Sequence, residues 1–92
     1  MIAVEVLWER LAGHQGEIFY TAKKLPFTFT IRGREMFVDR RKKSITQATF
    51  QKALQKIEAE PEKVTGPKSL GVFGAPYVYA ILVRMVGIRP KP

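Results

Sequence analysis

The chain has 92 residues, of which 46% are hydrophobic, and it contains no cysteine. This length predicts a single domain, residues 1–92, with one modest core, and the lack of cysteine excludes disulfide bonds and thiol chemistry. Sixteen Lys and Arg against eight Asp and Glu give a formal net charge of +8, which favours a polyanionic partner such as nucleic acid.

The N-terminal segment predicts a helix followed by a strand. Apolar residues at helical spacing, opposite Glu5 and Glu9, indicate a helix over residues 3–12 that Gly13 ends. Residues 17–22, EIFYTA, alternate in the manner of a β-strand. Because acidic residues stand where a secretory signal has basic ones, we expect no such signal and a cytoplasmic location.

The next segment predicts a β-hairpin. Residues 26–32, PFTFTIR, alternate apolar and polar side chains with the period of a half-buried strand. Pro26 must lie at the start of that strand or on an edge, because it has no N–H for the ladder. Gly33-Arg34 suits a type II′ turn, since glycine takes the positive φ of its first position without steric cost. The predicted opposite pairs are Arg32–Glu35, Ile31–Met36, Thr30–Phe37, Phe29–Val38 and Thr28–Asp39. One face of the hairpin is then apolar, and the other is polar except for Phe37.

Residues 44–60 predict a second helix with its apolar side chains largely along one side. Ser44 or Thr46 can serve as the N-cap, and Ser44 with Gln47 would form a capping box. The predicted apolar side consists of Ala48, Phe50, Ala53, Leu54 and Ile57. An acidic loop, residues 58–62, ends this helix.

Residues 76–86 predict a third helix. Pro76 suits its first turn, Gly87 ends it, and Pro90 and Pro92 prevent continuation. Because this helix is apolar almost all round, it is either the centre of the core or closed on one face by a second copy of the chain. Glycine, proline and arginine interrupt the surrounding apolar stretch, so we expect no membrane span.

Two short segments resemble nucleotide-binding or DNA-binding motifs. Residues 43–54, KSITQATFQKAL, resemble the recognition helix of helix-turn-helix proteins, although the segment before them predicts a strand where that motif has its first helix. Residues 66–69, GPKS, resemble the end of a phosphate-binding loop, but the GxxxxG spacing is absent and Pro67 has no amide to offer. We assign no site residues from either resemblance and interpret residues 66–69 as a structural turn.

Positive charge is concentrated around the hairpin. Residues 23–43 hold eight basic and two acidic residues, a formal charge of +6, whereas the remaining eight basic and six acidic residues give +2. Clustering of this kind is the usual electrostatic footprint of nucleic-acid binding; the alternative is a merely solvated surface. The predicted phosphate contacts are Lys23, Lys24, Arg32, Arg34, Arg40, Arg41, Lys42 and Lys43, with Lys52 and Lys56 as a second strip. Phe37 is the predicted stacking residue, unless a helix covers it.

Groups for catalysis are scarce, since the chain offers one histidine, one aspartate and no cysteine. His14 has no sequence neighbour that would orient it, and we interpret it as a surface histidine. Asp39 could hold a metal with Glu35 or Glu17, but nothing in their spacing demands it. We therefore expect no enzyme activity, no cofactor and no metal site.

The sequence thus predicts an α+β fold of order α-β-β-β-α-α, in which a small three-stranded antiparallel sheet packs against helices. We expect a nucleic-acid-binding domain that uses the hairpin and the adjoining helix, with DNA or RNA and single or double strand undecided. The alternative is a protein-interaction or homo-oligomeric domain. It would use the apolar helix, for example as a homodimer through residues 76–86, while the basic hairpin meets an acidic partner.

Overall fold

The structure, a computed structural model, describes residues 2–88. Within these residues, three α-helices accompany two small antiparallel sheets. The elements are α1 (Val4–Ala12), β1 (Phe19–Tyr20), β2 (Pro26–Phe27), β3 (Phe29–Arg32), β4 (Glu35–Val38), β5 (Ile45–Thr46), α2 (Gln47–Ala59) and α3 (Ala75–Val86), with 3₁₀ helices at Pro61–Lys63 and Pro67–Leu70 between the last two. The predicted α+β class is confirmed.

The two sheets share one run of chain. β1 pairs with β2, and β3 pairs with β4, which in turn pairs with β5. β2 and β3 are separated only by Thr28, whose N–H donates to the Asp39 carboxylate at 3.0 Å while its carbonyl accepts the Asp39 N–H at 3.1 Å. The three-stranded sheet therefore differs from the predicted one in its third strand. That strand is β5, and the predicted strand over residues 17–22 is reduced to β1 in the smaller sheet.

The predicted hairpin register is confirmed. All four pairs from Arg32–Glu35 to Phe29–Val38 stand opposite each other, and the predicted Thr28–Asp39 pair continues them through the two hydrogen bonds just described. Gly33 has a φ of 59°, and Arg34 is not among the residues with positive φ, as a type II′ turn requires. The apolar face is buried, with Phe27, Phe29, Met36 and Val38 each at most 2% exposed.

Trp8 ties the first helix to both the hairpin and α2. α1 forms as predicted, and its buried residues Val4, Leu7, Trp8 and Leu11 recur at helical spacing. The Trp8 indole N–H donates to the Gly33 carbonyl at 2.8 Å, and its ring meets Phe50 edge-on with the centroids 5.3 Å apart. A buried indole N–H needs such an acceptor, so one side chain fixes the hairpin turn against two helices.

The second helix begins later than its sequence suggested. Thr46 is the N-cap, and its hydroxyl accepts the Thr49 N–H at 3.3 Å. The predicted capping box of Ser44 with Gln47 is wrong, because the Ser44 hydroxyl donates to the Glu35 carboxylate at 2.8 Å across the sheet. The buried residues of α2 are Phe50, Ala53, Leu54 and Ile57, whereas Ala48, predicted with them, is exposed.

The third helix is a central element of the core. Val78, Ile81 and Leu82 are fully buried, and Val83 is the exposed large apolar side chain of this helix. Gly87 caps its C-terminus as predicted, while Pro90 and Pro92 lie outside the described residues. No helix within residues 2–88 has the length and apolar content needed to cross a bilayer.

Gly33→Val should lower the melting temperature more than Arg34→Ala. Valine at a φ of 59° is strained by about 1–2 kcal/mol, which corresponds to several degrees in a domain of this size. The Arg34 side chain is exposed and makes no hydrogen bond within residues 2–88. Thermal denaturation of the two variants measures the difference, and equal melting temperatures would contradict the turn assignment.

Candidate nucleic-acid interface

The exposed side of the strands forms one surface. Because β2 and β3 belong to a single alternating run, burial of Phe27 and Phe29 turns the intervening side chains of both sheets away from the core. The outer face is defined here as the exposed strand residues Tyr20, Pro26, Thr30, Arg32, Glu35, Phe37 and Thr46. Within residues 2–88, α3 borders this face beside Tyr20, while Phe37 is 37% exposed and accessible to a ligand.

The cations of the basic cluster lie at the two ends of the outer face. The eight cluster cations are Lys23 and Lys24 in the β1–β2 turn, Arg32 and Arg34 at the hairpin turn, and Arg40, Arg41, Lys42 and Lys43 in the β4–β5 loop; all are exposed. Arg40 donates its Nε–H to the Pro26 carbonyl at 2.6 Å, which fixes the β4–β5 loop beside the start of β2. The hairpin turn lies at the opposite end of β4, about 13 Å away at the usual rise of a strand.

The cluster cations are not neutralised by contact with carboxylates. Within residues 2–88, the ion pairs closer than 4.0 Å are Lys63–Glu60, Arg84–Glu17 and His14–Glu17, all outside the cluster. The two acidic residues inside it accept other donors, because Glu35 binds the Ser44 hydroxyl and Asp39 binds the Thr28 N–H. The eight cations therefore remain available to an external anion.

Three exposed aromatic rings lie beside cluster cations. Tyr20, Phe73 and Phe37 are 59%, 42% and 37% exposed. The Arg41 guanidinium is 4.7 Å from the centroid of Phe73, and that of Arg32 is 5.9 Å from the centroid of Phe37. Tyr20 and Lys24 line a shared shallow groove against α3. Rings placed among cations are the combination that single-stranded nucleic acid binds.

Tyr20 and Phe73 were missed by the sequence reasoning. Tyr20 was predicted only as a strand residue, and the alternation of Phe19 and Tyr20 does not tell which of the two is buried. Phe73 lies in the connector before α3, where the apolar residues have no regular spacing. The observation that marks Phe73 as part of the site is its contact with Arg41, which depends on the fold.

The second predicted strip lies on α2. Lys52 and Lys56 both belong to this helix, whereas the residues of the outer face belong to strands. Lys56 is only partly exposed, and its charge, after that of the hydrogen-bonded Lys63, helps to lower the pKa of Glu60. Lys52 and Lys56 thus lie on a different element from the cluster cations.

His14 belongs to a small network, and the prediction that no sequence neighbour orients it is wrong. Its Nδ1 lies 3.0 Å from one Glu17 oxygen, and Arg84 donates to the other at 2.6 Å. The hydrogen bond with His14 lowers the pKa of Glu17, as do the charges of His14 and Arg84. The network joins α3 to the loop before β1. Across residues 2–88, no three His, Asp or Glu side chains are grouped so that they could hold a metal ion.

The β1–β2 turn holds a lysine in a strained backbone conformation. The Lys24 N–H donates to the Thr21 carbonyl at 2.8 Å, and the Thr21 N–H donates to the Leu25 carbonyl at 2.9 Å. A three-residue loop of this kind needs a left-handed residue, usually glycine. Lys24 takes that position with a φ of 68° and is the one non-glycine residue of the described chain to do so. The left-handed conformation therefore makes the Lys24 side chain a candidate functional group.

No protein family, curated protein or solved structure shows a significant match to this chain.

Lys24→Gly should raise the free energy of unfolding by about 1 kcal/mol, because it removes the left-handed strain. Lys23→Gly is the matched control, since it removes the same charge from a neighbouring residue without positive φ. That control should leave stability unchanged or slightly lower. Chemical denaturation of both variants measures the difference, and equal effects would show that Lys24 is not strained.

Proposed function

We propose that this chain is a cytoplasmic nucleic-acid-binding domain that acts by binding and not by catalysis. The observation that carries the proposal is the set of eight cations without carboxylate partners within residues 2–88, placed around the exposed outer face. Such cations bind phosphates and release condensed counterions, which supplies most of the affinity for a nucleic acid. The proposed contacts are the eight cluster cations, with Tyr20, Phe37 and Phe73 as stacking residues.

The aromatic rings favour a single strand over a duplex. Tyr20 stands opposite Pro26, and Phe37 stands opposite Thr30, so along the strand direction the two residues are offset by four positions, about 13 Å at the usual strand rise. Ring faces stack on bases that are unpaired and splayed apart, which a duplex does not offer. DNA and RNA both present such bases and are alternatives within this proposal.

The alternative of a protein-interaction or homo-oligomeric domain stays the second candidate. It would use the apolar helix 76–86, in which Val78, Ile81 and Leu82 are buried in the core and Val83 is 38% exposed. An acidic protein partner would use the same cations as a nucleic acid. It would not require the exposed rings, and that difference makes the two proposals distinguishable.

Reversal of Lys42 and Lys43 to glutamate should weaken binding and flatten its salt dependence. Each neutralised phosphate contributes roughly −0.7 to the log–log slope on a single strand, so the unmodified chain should show a slope of several units. Neither side chain makes a hydrogen bond or ion pair within residues 2–88, so the fold should persist. Fluorescence anisotropy with a labelled oligonucleotide, repeated over a range of salt concentrations, measures both quantities.

The control for this reversal is Arg10→Glu with Lys63→Glu, which changes the net charge equally but lies outside the cluster. Because Lys63 pairs with Glu60, thermal denaturation first checks that this control variant folds. If both double variants weaken binding alike, net charge alone acts and the cluster is not the site. Failure of the unmodified chain to bind any nucleic acid at low salt would remove the proposal altogether.

Tyr20→Ala and Phe37→Ala should each weaken single-strand binding by about 1–3 kcal/mol, because each removes a stacking ring. The salt slope should not change, since no charge is lost, and duplex binding should change little. Ile18→Ala is the control. Ile18 is 55% exposed, and its substitution removes apolar surface next to β1 without removing a ring. Equal losses for all three variants would show that stacking is not involved.

A further inference from the structure

A groove of about 530 Å³ opens beside the β1–β2 turn. The turn forms one wall, and the second 3₁₀ helix together with the start of α3 forms the other. The lining residues that matter here are Lys23, Leu25, Pro67, Lys68, Pro76 and Tyr77. This volume lies within the range of sites that hold small ligands.

Two of the hydroxyl groups that line the groove, those of Ser69 and Thr21, are used to build its walls. The Ser69 hydroxyl donates to the Gly66 carbonyl at 2.6 Å and accepts the N–H groups of Thr65 and Gly66 at 3.0 and 3.2 Å. The Thr21 hydroxyl accepts the Leu25 N–H at 3.1 Å. The segment 66–69 is thus a closed turn whose serine is not available to a phosphate in the manner of a phosphate-binding loop.

The groups left for a ligand are cations, apolar surface and the hydroxyls of Thr65 and Tyr77. Lys23 and Lys68 stand on opposite walls and make no ion pair or side-chain hydrogen bond within residues 2–88, and no carboxylate lines the groove. Leu25 and the half-buried ring of Tyr77, which packs edge-on against Phe27, supply apolar surface between them. The groove therefore complements a flat apolar group that carries negative charge on both sides.

We propose that this groove holds one unpaired nucleotide of a bound single strand. The base lies against Leu25 and Tyr77, and the phosphates on either side of it bind Lys23 and Lys68. Lys23 belongs both to the basic cluster and to the groove, so a strand that leaves the outer face past the β1–β2 turn enters the groove directly. This inference rests on the proposed function, because the strand must first bind the cluster.

The test compares two strands of equal length by chemical-shift mapping of the backbone amides. One probe is a short oligothymidylate, and the other is the same sugar-phosphate chain without bases. Both should shift the amides of the β4–β5 loop through phosphate contacts. The base-bearing strand alone should shift the groove amides of Lys68, Ser69 and Tyr77.

The outcomes separate this inference from the proposed function. Loop shifts without groove shifts would overturn the groove site and leave nucleic-acid binding intact, whereas no shifts in either region would overturn both. Equal groove shifts with the baseless strand would overturn base binding. Groove shifts with an acidic, tryptophan-containing peptide but not with the oligothymidylate would assign the groove to a protein partner instead.

A substitution provides the second measurement. Leu25→Ser reduces the apolar lining without a change in charge, and Leu25 is 47% exposed, so the variant should fold. Affinity for the base-bearing strand should fall on the order of fivefold, while affinity for the baseless strand stays the same. Val6→Ser, which alters a similarly exposed residue on α1, should change neither affinity, and an equal loss in both variants would overturn the inference.

Discussion

The alternation of residues 26–38 about the Gly33-Arg34 turn is the constraint on which both the fold and the candidate site depend. Burial of Phe27, Phe29, Met36 and Val38 fixes the register, because a slip of one residue would carry Arg32 and Phe37 into the core. Trp8 secures the turn through its hydrogen bond to the Gly33 carbonyl. The interactions that stabilise the core therefore also hold the outer face in place. The chemistry of the outer face is that of the side chains that this register leaves exposed.

Elements with a clear period could be predicted from the sequence. The hairpin register, α1 and α3 are of this kind, since each repeats its apolar spacing over several residues. β5 could not be predicted, because two residues have no period and their pairing with Glu35 and Met36 depends on the closed core. Ser44 has the local features of a helix cap, yet its hydroxyl donates to the carboxylate of Glu35 on β4. The neighbouring sequence alone does not tell whether Ser44 binds the helix backbone or Glu35.

The candidate site also contains some residues that the sequence could indicate and others that it could not. Exposure of Lys and Arg is the default in a folded protein, so the cluster cations could be found by composition alone. The exposed rings of Tyr20 and Phe73 depend on which side of a short segment meets the core, and the assignment of Lys52 and Lys56 to a second strip stays a prediction. The groove between Lys23 and Lys68 joins residues distant in the chain, and no local pattern indicates it.

Three properties of this surface oppose the stability of the free domain. Like charges without counter-ions repel each other, exposed rings remain in contact with water, and Lys24 is held in a strained conformation. An acidic protein surface would offset the first property, whereas a single-stranded nucleic acid offsets the first two together, because its phosphates and bases alternate along one chain. The strain at Lys24 places a cation at the tip between the outer face and the groove. Under the proposed function, this cation would bind a phosphate of a strand that continues from the outer face towards the groove.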